Sequence, residues 1–316
     1  MPPVALFWGS LATLLFVIVS FFFLVAKFAP QTDWSWTGRL DAKYLLLALF
    51  LLFLYHSFDM LRLKTIAGGY NIRYSYAYAY AMSFIATFGA TITPAHLGGE
   101  LILYYLLSRL GVSRRKIWGT ILFKTVSGFS FFLVALPVLV LYTFSDEEIL
   151  KKVFILFIIF ALFSLVSVPV FRWFKNFEGN GRLKKTVKVY CYTLLHFWRK
   201  KRTLFLKACL YSILLYLVFL SFAPVLLKAF GVEFDWLEVY LLQLPLMYAI
   251  FTSPSPGGSG VGELGSAAIF EGVVPASVLG PFVILWRFLS QYLSAFVGGI
   301  LFAAIVYGDW RRSERR

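Results

Sequence analysis

The chain is poor in the residues that most enzymes use for chemistry. It has two cysteines, Cys191 and Cys209, and three histidines among 316 residues. The cysteines have no partner at the spacing of a zinc or redox motif, so we expect free thiols without a special role. We find no P-loop and no recognisable nucleic-acid-binding module. The sequence therefore predicts no metal or other cofactor, and no nucleic-acid partner.

Long apolar runs dominate the chain instead. Hydrophobic residues make up 60% of it and the mean hydropathy is +0.79, which leaves too little polar surface to cover a soluble particle. A helix of about 20 residues crosses a hydrocarbon core roughly 30 Å thick. We therefore predict an all-α polytopic membrane protein with about six full spans. They fall near 7–28, 42–63, 117–142, 150–173, 204–227 and 276–307.

The basic residues indicate the orientation of these spans. Most Lys and Arg residues lie in one set of connectors, and an acidic set alternates with it along the chain. The basic set is 62–75, 109–116, 172–203 and 308–316, and the acidic set is 27–43, 144–152 and 228–238. The positive-inside rule places the basic set in the cytoplasm. We predict a prokaryotic cell (inner) membrane protein with both termini cytoplasmic, a retained first span rather than a signal peptide, and a basic amphipathic helix at 182–202 on the inner leaflet.

Two apolar segments are interrupted in the same way. Segments 93–100 and 253–263 each contain proline and paired glycines and end in a glutamate, Glu100 or Glu263. A cation follows 24 residues later in each case. Proline ends helices, and glycine permits a tight reversal and close approach of the backbone to a ligand. Irregular backbone and charge at membrane depth are tolerated only inside protein or beside a water-filled cavity, so the pattern predicts a transport site.

The helical limbs beside these breaks are too short to cross a membrane. Limbs of the lengths available would extend only about 17–26 Å, and the charge pattern returns segment 76–110 to the cytoplasm and segment 237–272 to the outside. We therefore predict two re-entrant helical hairpins within an inverted-topology repeat of 42–142 and 204–307. The alternative is that proline and glycine merely kink ordinary spans. The single membrane domain also contains 1–41 (first span and external loop), 143–203 (extra span and basic segment) and 308–316 (basic tail).

Helix N-termini at the two tips predict an anion-binding site. The first N–H groups of each second limb have no partner within the helix and carry the positive end of its dipole. We expect the tips, with Arg287 and Lys124, to hold a lipid phosphate, and Arg287 is better suited to bidentate contact. The candidate substrate-binding residues are Pro94, His96, Gly98, Gly99, Glu100, Lys124, Pro256, Gly257, Gly258, Gly260, Glu263 and Arg287. For the two glutamates, a helix cap or a structural ion pair is the alternative.

A second polar group lies in the predicted span 42–63. His56, Asp59 and Arg62 share one face of this helix, because they are spaced three residues apart. They could relay protons or act as a gate. The alternative is an interfacial hydrogen-bonded cluster.

These motifs resemble a known family. The string Thr-Pro-Ala-x-x-Gly-Gly-Glu at 93–100, Gly111-Val112-Ser113, and Pro254-x-Pro256-Gly257-Gly258-x-Gly260-Val261-x-Glu263 followed by Arg287 resemble the flippase-like membrane domain of lysylphosphatidylglycerol synthases. The likeness covers roughly 45–305, and the family often has an Asp/Arg pair where Asp59 and Arg62 stand. It implies a lipid translocase that carries aminoacylated phosphatidylglycerol or, in some stand-alone members, lipid-linked sugars.

The sequence departs from this family at two places and lacks one domain. Family members often carry a cation soon after the first glutamate and an acid before the later cation, where this chain has Leu101-Ile102-Leu103 and Phe123. We therefore expect a less polar first half-site or a different headgroup. The soluble aminoacyl-transferase domain of the synthases is absent from this sequence, so we do not expect this chain alone to synthesise the aminoacyl lipid.

The sequence thus predicts a flippase, not an enzyme. Its expected substrate is an anionic-headgroup lipid, such as an aminoacylated phospholipid or a polyprenyl-phosphate-linked sugar, which crosses between leaflets through a central polar cavity. A separate lipid-modifying enzyme and a second copy of the chain are further candidate partners. Two alternatives stay open: an intramembrane lipid-modifying enzyme with His56 or His96 as general base, and a membrane scaffold for a separate lipid synthase.

Overall fold

The computed structural model describes residues 22, 40–93, 96–144, 147–159 and 183–314, with backbone alone at 183–200 and 312–314. These residues form helices joined by turns and contain no β-strand. The helices are α1 (Ala42–Gly69), α2 (Tyr76–Thr91), α3 (Leu97–Ser108), α4 (Arg114–Thr143), α5 (Leu183–Ala229), α6 (Trp236–Thr252), α7 (Val261–Phe270), α8 (Ala276–Arg287) and α9 (Leu293–Glu314). A 3₁₀ turn at Pro256–Gly258 precedes α7, a π turn at Phe288–Tyr292 joins α8 to α9, and residues 147–159 are also helical.

Within the described residues, four helical stretches are long and apolar enough to cross a bilayer. They are Ala42–Gly69, Arg114–Thr143, Lys201–Ala229 and Ala276–Arg311, and they coincide with four of the predicted spans. The all-helical, membrane-spanning class is therefore confirmed. Apart from Phe22, the predicted span 7–28 lies outside the described residues, and the span 150–173 is described only as far as residue 159. In α5, a kink at Lys201 separates the span from the segment predicted to be amphipathic.

The turns that follow α1 and α5 are built alike. Asn71 and Gly231 occupy the same place in these turns, and both adopt the left-handed conformation, with φ of 56° and 70°. Four residues later, the side chains of Ser75 and Asp235 cap α2 and α6 by accepting a backbone N–H. The same local chemistry therefore ends a long helix and starts a shorter one in both halves of the chain.

Helices α1 and α5 run antiparallel against each other. The backbone N–H of Asp41, at the start of α1, donates to the carbonyl of Ala229, at the end of α5, at 3.0 Å. At the other end of the pair, the ammonium of Lys201 donates to the carbonyl of Gly69. Since α2 follows α1 and α6 follows α5, these two shorter helices begin at opposite ends of the pair.

The pairs α2–α3 and α6–α7 are helical hairpins. In the first hairpin, the Tyr78 hydroxyl donates to the carbonyl of Leu106 at 3.0 Å, far from the tip. Close to the tip, a Cβ added to Gly89 would lie only 2.7 Å from the carbonyl oxygen of Gly98. The four limbs have 16, 12, 17 and 10 residues. At 1.5 Å per residue they measure about 15–26 Å, which is shorter than the bilayer core.

The two tips contact each other. Gln291, in the π turn, donates from Nε2 to the carbonyl of Gly257 at 2.8 Å and to the Thr91 hydroxyl at 3.3 Å. The ring of His96, at the first tip, stacks on Phe251, at the end of α6, with centroids 5.7 Å apart. One amide side chain thus joins both hairpins, and a polar space remains beside the junction.

Candidate functional site

A cavity of about 240 Å³ lies beside the two tips. Helices α1, α2, α4 and α5, the start of α3, the end of α6 and the π turn all contribute to its wall. The charged or titratable lining side chains are Asp59, Arg62, His96, Glu100 and Lys124. Other polar lining residues are Tyr55, Thr87, Thr91, Thr125, Tyr216, Ser290 and Gln291, and aromatic ones are Phe129, Phe132, Phe219 and Phe251. Together with Gly99, which also lines the cavity, six of the residues predicted to bind or gate a substrate are therefore brought together in one space.

The first predicted Glu/cation pair, Glu100 and Lys124, faces this cavity and is open, in the sense that the two side chains form no ion pair with each other. Glu100 lies in the first turn of α3, and the hydroxyl of Thr125 donates a hydrogen bond to its carboxylate. Lys124 precedes Thr125 on α4, and its ammonium makes no hydrogen bond or ion pair with any residue that the structure describes. Asp59, Arg62 and Glu100 are near enough to act on its charge. An ammonium without a close partner inside a helical bundle is a natural site for an anion.

The second predicted pair is closed. Glu263, in the first turn of α7, accepts the backbone N–H of Gly260 at 2.5 Å with one oxygen. Its other oxygen accepts Arg287 Nε at 2.9 Å and the hydroxyl of Tyr292. Arg287 also donates to Gln291 at 2.6 Å and to the carbonyl of Gly257 at 3.2 Å. Both charged side chains are 0% exposed, and neither lines the cavity. The helix cap and ion pair left open as the alternative are thus the contacts that Glu263 makes.

The π turn explains how this closed network is assembled. It begins directly after Arg287 and ends at Tyr292, and π bulges in helices are frequent at functional sites. The wider turn brings Arg287 and Tyr292, five residues apart, to the same carboxylate of Glu263. Neither Gln291 nor Tyr292 was predicted as a site residue, although Gln291 is a polar side chain in an apolar span.

The glycines of the second tip pack against protein. Gly257 and Gly258 have φ of 60° and 64°, which disfavours any residue with a Cβ. A Cβ on Gly257 would also lie 2.9 Å from the carbonyl oxygen of Thr91. Together with Pro256 and Gly260, these residues are buried. The structure therefore places this predicted phosphate loop in a compact turn that supports the Arg287 network.

The first tip is described in part, because Pro94 lies outside the described residues. Gly98 donates its backbone N–H to the Thr93 hydroxyl at 2.7 Å. A Cβ on Gly99 would lie 2.7 Å from the carbonyl oxygen of Ala86, so both glycines let α3 approach α2 closely. His96 has a left-handed backbone, and its Nδ1 has no hydrogen-bond partner among the described atoms. Of these residues, Gly99 and His96 line the cavity.

The His56, Asp59 and Arg62 face is part of one buried hydrogen-bond chain. Arg62 donates to Asp59 at 2.5 Å, and the Ser83 hydroxyl donates to the other Asp59 oxygen at 2.6 Å. Since that hydroxyl has one proton, Ser83 accepts from His56 Nδ1 at 2.8 Å. In a neutral imidazole, Nε2 then accepts from Ser294, also at 2.8 Å. Asp59 and Arg62 reach the cavity, whereas His56 lies behind them.

Sequence reasoning missed two tyrosines of the cavity wall. Tyr55 lies beside His56 on α1, and Tyr216 lies on α5, which contributed no predicted site residue. The available signal was a hydroxyl-bearing side chain within a run of leucine and phenylalanine. Aromatic residues are so common in this chain, 20% of it, that this signal could not be separated from ordinary packing.

Comparison with known proteins is consistent with the motifs. The sequence matches the family described as the lysylphosphatidylglycerol synthase TM region over residues 9–298, which include both hairpins and the whole cavity wall. A protein of Archaeoglobus fulgidus described as a UPF0104 membrane protein is 27% identical over 291 residues, which cover 85% of this chain and 89% of that protein. The resemblance inferred from the motifs is confirmed, and the chain belongs to the lysylphosphatidylglycerol synthase TM region family.

Proposed function

We propose that this protein is a lipid translocase, a flippase that moves an anionic-headgroup lipid between the leaflets of the cell membrane. The observation that carries the proposal is the polar cavity of about 240 Å³ among membrane-spanning helices, where the Lys124 ammonium has no partner among the described residues. A phosphate-bearing headgroup supplies the missing counter-charge. Phe129 lines the cavity and is 56% exposed. The headgroup enters beside this ring while its chains stay in lipid.

Alternate access to this cavity is the second part of the proposal. Both hairpins are re-entrant, enter from opposite faces of the membrane and form an inverted repeat, with both termini in the cytoplasm. The antiparallel contact of α1 with α5, the short limbs and the contact between the two tips support this topology. Opening past one hairpin and then past the other exposes the same cavity to each side in turn.

Cysteine labelling tests this topology. In a background with Cys191→Ser and Cys209→Ser, single cysteines replace Arg73 and Glu233, which are exposed and lie in the two equivalent turns. A membrane-impermeant maleimide added to intact cells should label position 233 and should reach position 73 only after permeabilisation. Labelling of both positions from the same side would remove the opposed hairpins and, with them, the alternating cavity.

Reconstitution tests the transport activity. The purified protein is placed in vesicles that contain a trace of fluorescent phosphatidylglycerol, and flipping is followed by the fraction of probe that dithionite quenches from outside. We expect faster flipping than in empty vesicles, and a large loss with Lys124→Gln. Lys207→Gln is the matched control, because Lys207 is an exposed lysine of α5 outside the cavity. The assay is then repeated with a fluorescent polyprenyl phosphate. Equal flipping with and without protein for both lipids would refute the proposal of an anionic-lipid translocase.

The same vesicles separate a flippase from the enzyme alternative. The unpartnered Nδ1 of His96 in the cavity wall is the observation that favours an enzyme, since an imidazole there could act as a general base. After the assay, the extracted lipid is identified by mass spectrometry. A translocase leaves the lipid unchanged, whereas a covalently altered headgroup indicates an enzyme. A scaffold for a separate lipid synthase would show neither activity and would tolerate Lys124→Gln.

A further inference from the structure

Arg62 and Arg287 are both buried, but they differ in how many of their hydrogen-bond donors are satisfied. A guanidinium has five N–H groups. Arg287 makes four hydrogen bonds, to Glu263, Gln291, Gly257 and Tyr292. Arg62 makes two, one to Asp59 and one to Ser212, and its Nε has no partner in the described part of the chain. The Arg62 side chain is 7% exposed, so its remaining donors cannot be satisfied by bulk water.

The space beside Arg62 is kept open by a glycine. Gly128 follows Lys124 by about one turn on α4 and lines the same cavity. A Cβ added to Gly128 would lie 3.5 Å from Arg62 Nη1 and 3.8 Å from the hydroxyl of Tyr216. Any larger side chain at this position would therefore extend into the space between these two groups. The open volume adjoins Arg62, which has free donors, and Lys124, whose ammonium has no partner in the described ranges.

We propose that Arg62 and Lys124, from α1 and α4, together form the subsite for the phosphate ester of the lipid headgroup. The second N–H of Arg62 Nη1, the atom nearest Gly128, and the ammonium of Lys124 donate to the phosphate oxygens. Asp59 is a positioning residue, because it accepts a hydrogen bond from Nη2 and so fixes the guanidinium plane. Arg287 has no role in binding the phosphate and holds the second tip. This inference rests on the proposed function and specifies the residues that recognise the substrate.

Binding measurements on the full-length protein in detergent test the subsite. The probe is dioctanoyl phosphatidylglycerol, and dioctanoylglycerol, which lacks the phosphate, is the ligand control. We expect Lys124→Gln to weaken binding about tenfold, as for loss of one charge-assisted hydrogen bond. Gly128→Leu should weaken it at least as much, although it keeps both charges and the Asp59 contact. Lys207→Gln should bind like the wild type. Wild-type affinity in both Lys124→Gln and Gly128→Leu would overturn the subsite.

The same protein variants also distinguish a lipid site from a phosphate-ion site, and a failure of the subsite from a failure of the transport proposal. Inorganic phosphate distinguishes a lipid site from a site for the free ion: a lipid site binds dioctanoyl phosphatidylglycerol more tightly than phosphate, and equal affinities would overturn the lipid assignment. The flipping assay is scored independently. If the wild type flips lipid but both variants bind the probe with wild-type affinity, the subsite is wrong and the translocase proposal stands. If binding responds as expected but the wild type does not flip lipid, the subsite stands and the transport proposal fails.

Discussion

Glu263→Gln should destabilise the protein far more than removal of an exposed carboxylate. The substitution leaves the buried Arg287 without a counter-charge, and breaking a buried ion pair from one side costs about 3–5 kcal/mol. Glu263 now accepts hydrogen bonds from Gly260, Arg287 and Tyr292 with its two carboxylate oxygens. Glutamine has one oxygen and one NH₂ group in their place, so at least one of these hydrogen bonds is lost. We therefore expect the free energy of unfolding to fall by at least about 3 kcal/mol.

The measurement is equilibrium unfolding in mixed micelles, followed by tryptophan fluorescence. Glu148→Gln is the matched control, since Glu148 pairs with Lys152 at 3.2 Å but is 73% exposed, and an exposed pair is worth less than about 1 kcal/mol. Adding Arg287→Met to Glu263→Gln should recover part of the loss, because no buried charge then stays unpaired. The reasoning would be refuted if Glu263→Gln and Glu148→Gln were equally mild, or if Glu263→Gln abolished flipping at unchanged stability.

Two further predictions concern the tips and the end of the first hairpin. Gly257→Ala should lower the free energy of unfolding more than Gly111→Ala. Both glycines have positive φ, 60° and 69°, but only at Gly257 would the new methyl group meet a neighbour, the Thr91 carbonyl oxygen at 2.9 Å. Equal losses in the same unfolding assay would contradict the packing argument. Asp309→Asn should weaken the attachment of α3 to α9, because Arg109 donates twice to this carboxylate at 2.6 Å. Since both side chains are partly exposed, we expect a loss of about 1 kcal/mol, with faster amide exchange in α3 by mass spectrometry; unchanged exchange would argue against the attachment.

The helices and their breaks could be read from the sequence because they depend on local properties. Apolar length predicted the four spans, and proline with paired glycines predicted where the hairpins reverse. Lys124 and Glu100 were predicted as site residues because a charge in an apolar run needs a partner or a ligand, and both line the cavity. These inferences use only the residue type and its immediate neighbours along the chain.

The different states of the two half-sites could not be read in the same way. The motifs are alike, with a glutamate and a cation 24 residues later, yet one pair is closed and the other open. The difference comes from the residues four and five positions after each cation. Arg287 is followed there by Gln291 and Tyr292, which join its network. The corresponding residues after Lys124 are glycine and phenylalanine, which offer no side-chain hydrogen bond, and the π turn that matters at Arg287 has no sequence signal.

Phe129 is part of the cavity wall and is also exposed, which bears on which lipids the proposed carrier can distinguish. Only the polar end of a cargo molecule has to leave its hydrated surroundings, while the hydrocarbon part never exchanges one medium for another. Discrimination then acts on headgroup chemistry and is indifferent to tail length, branching and unsaturation. A protein of this design can serve a membrane whose fatty-acid composition changes with temperature without any change in its own sequence.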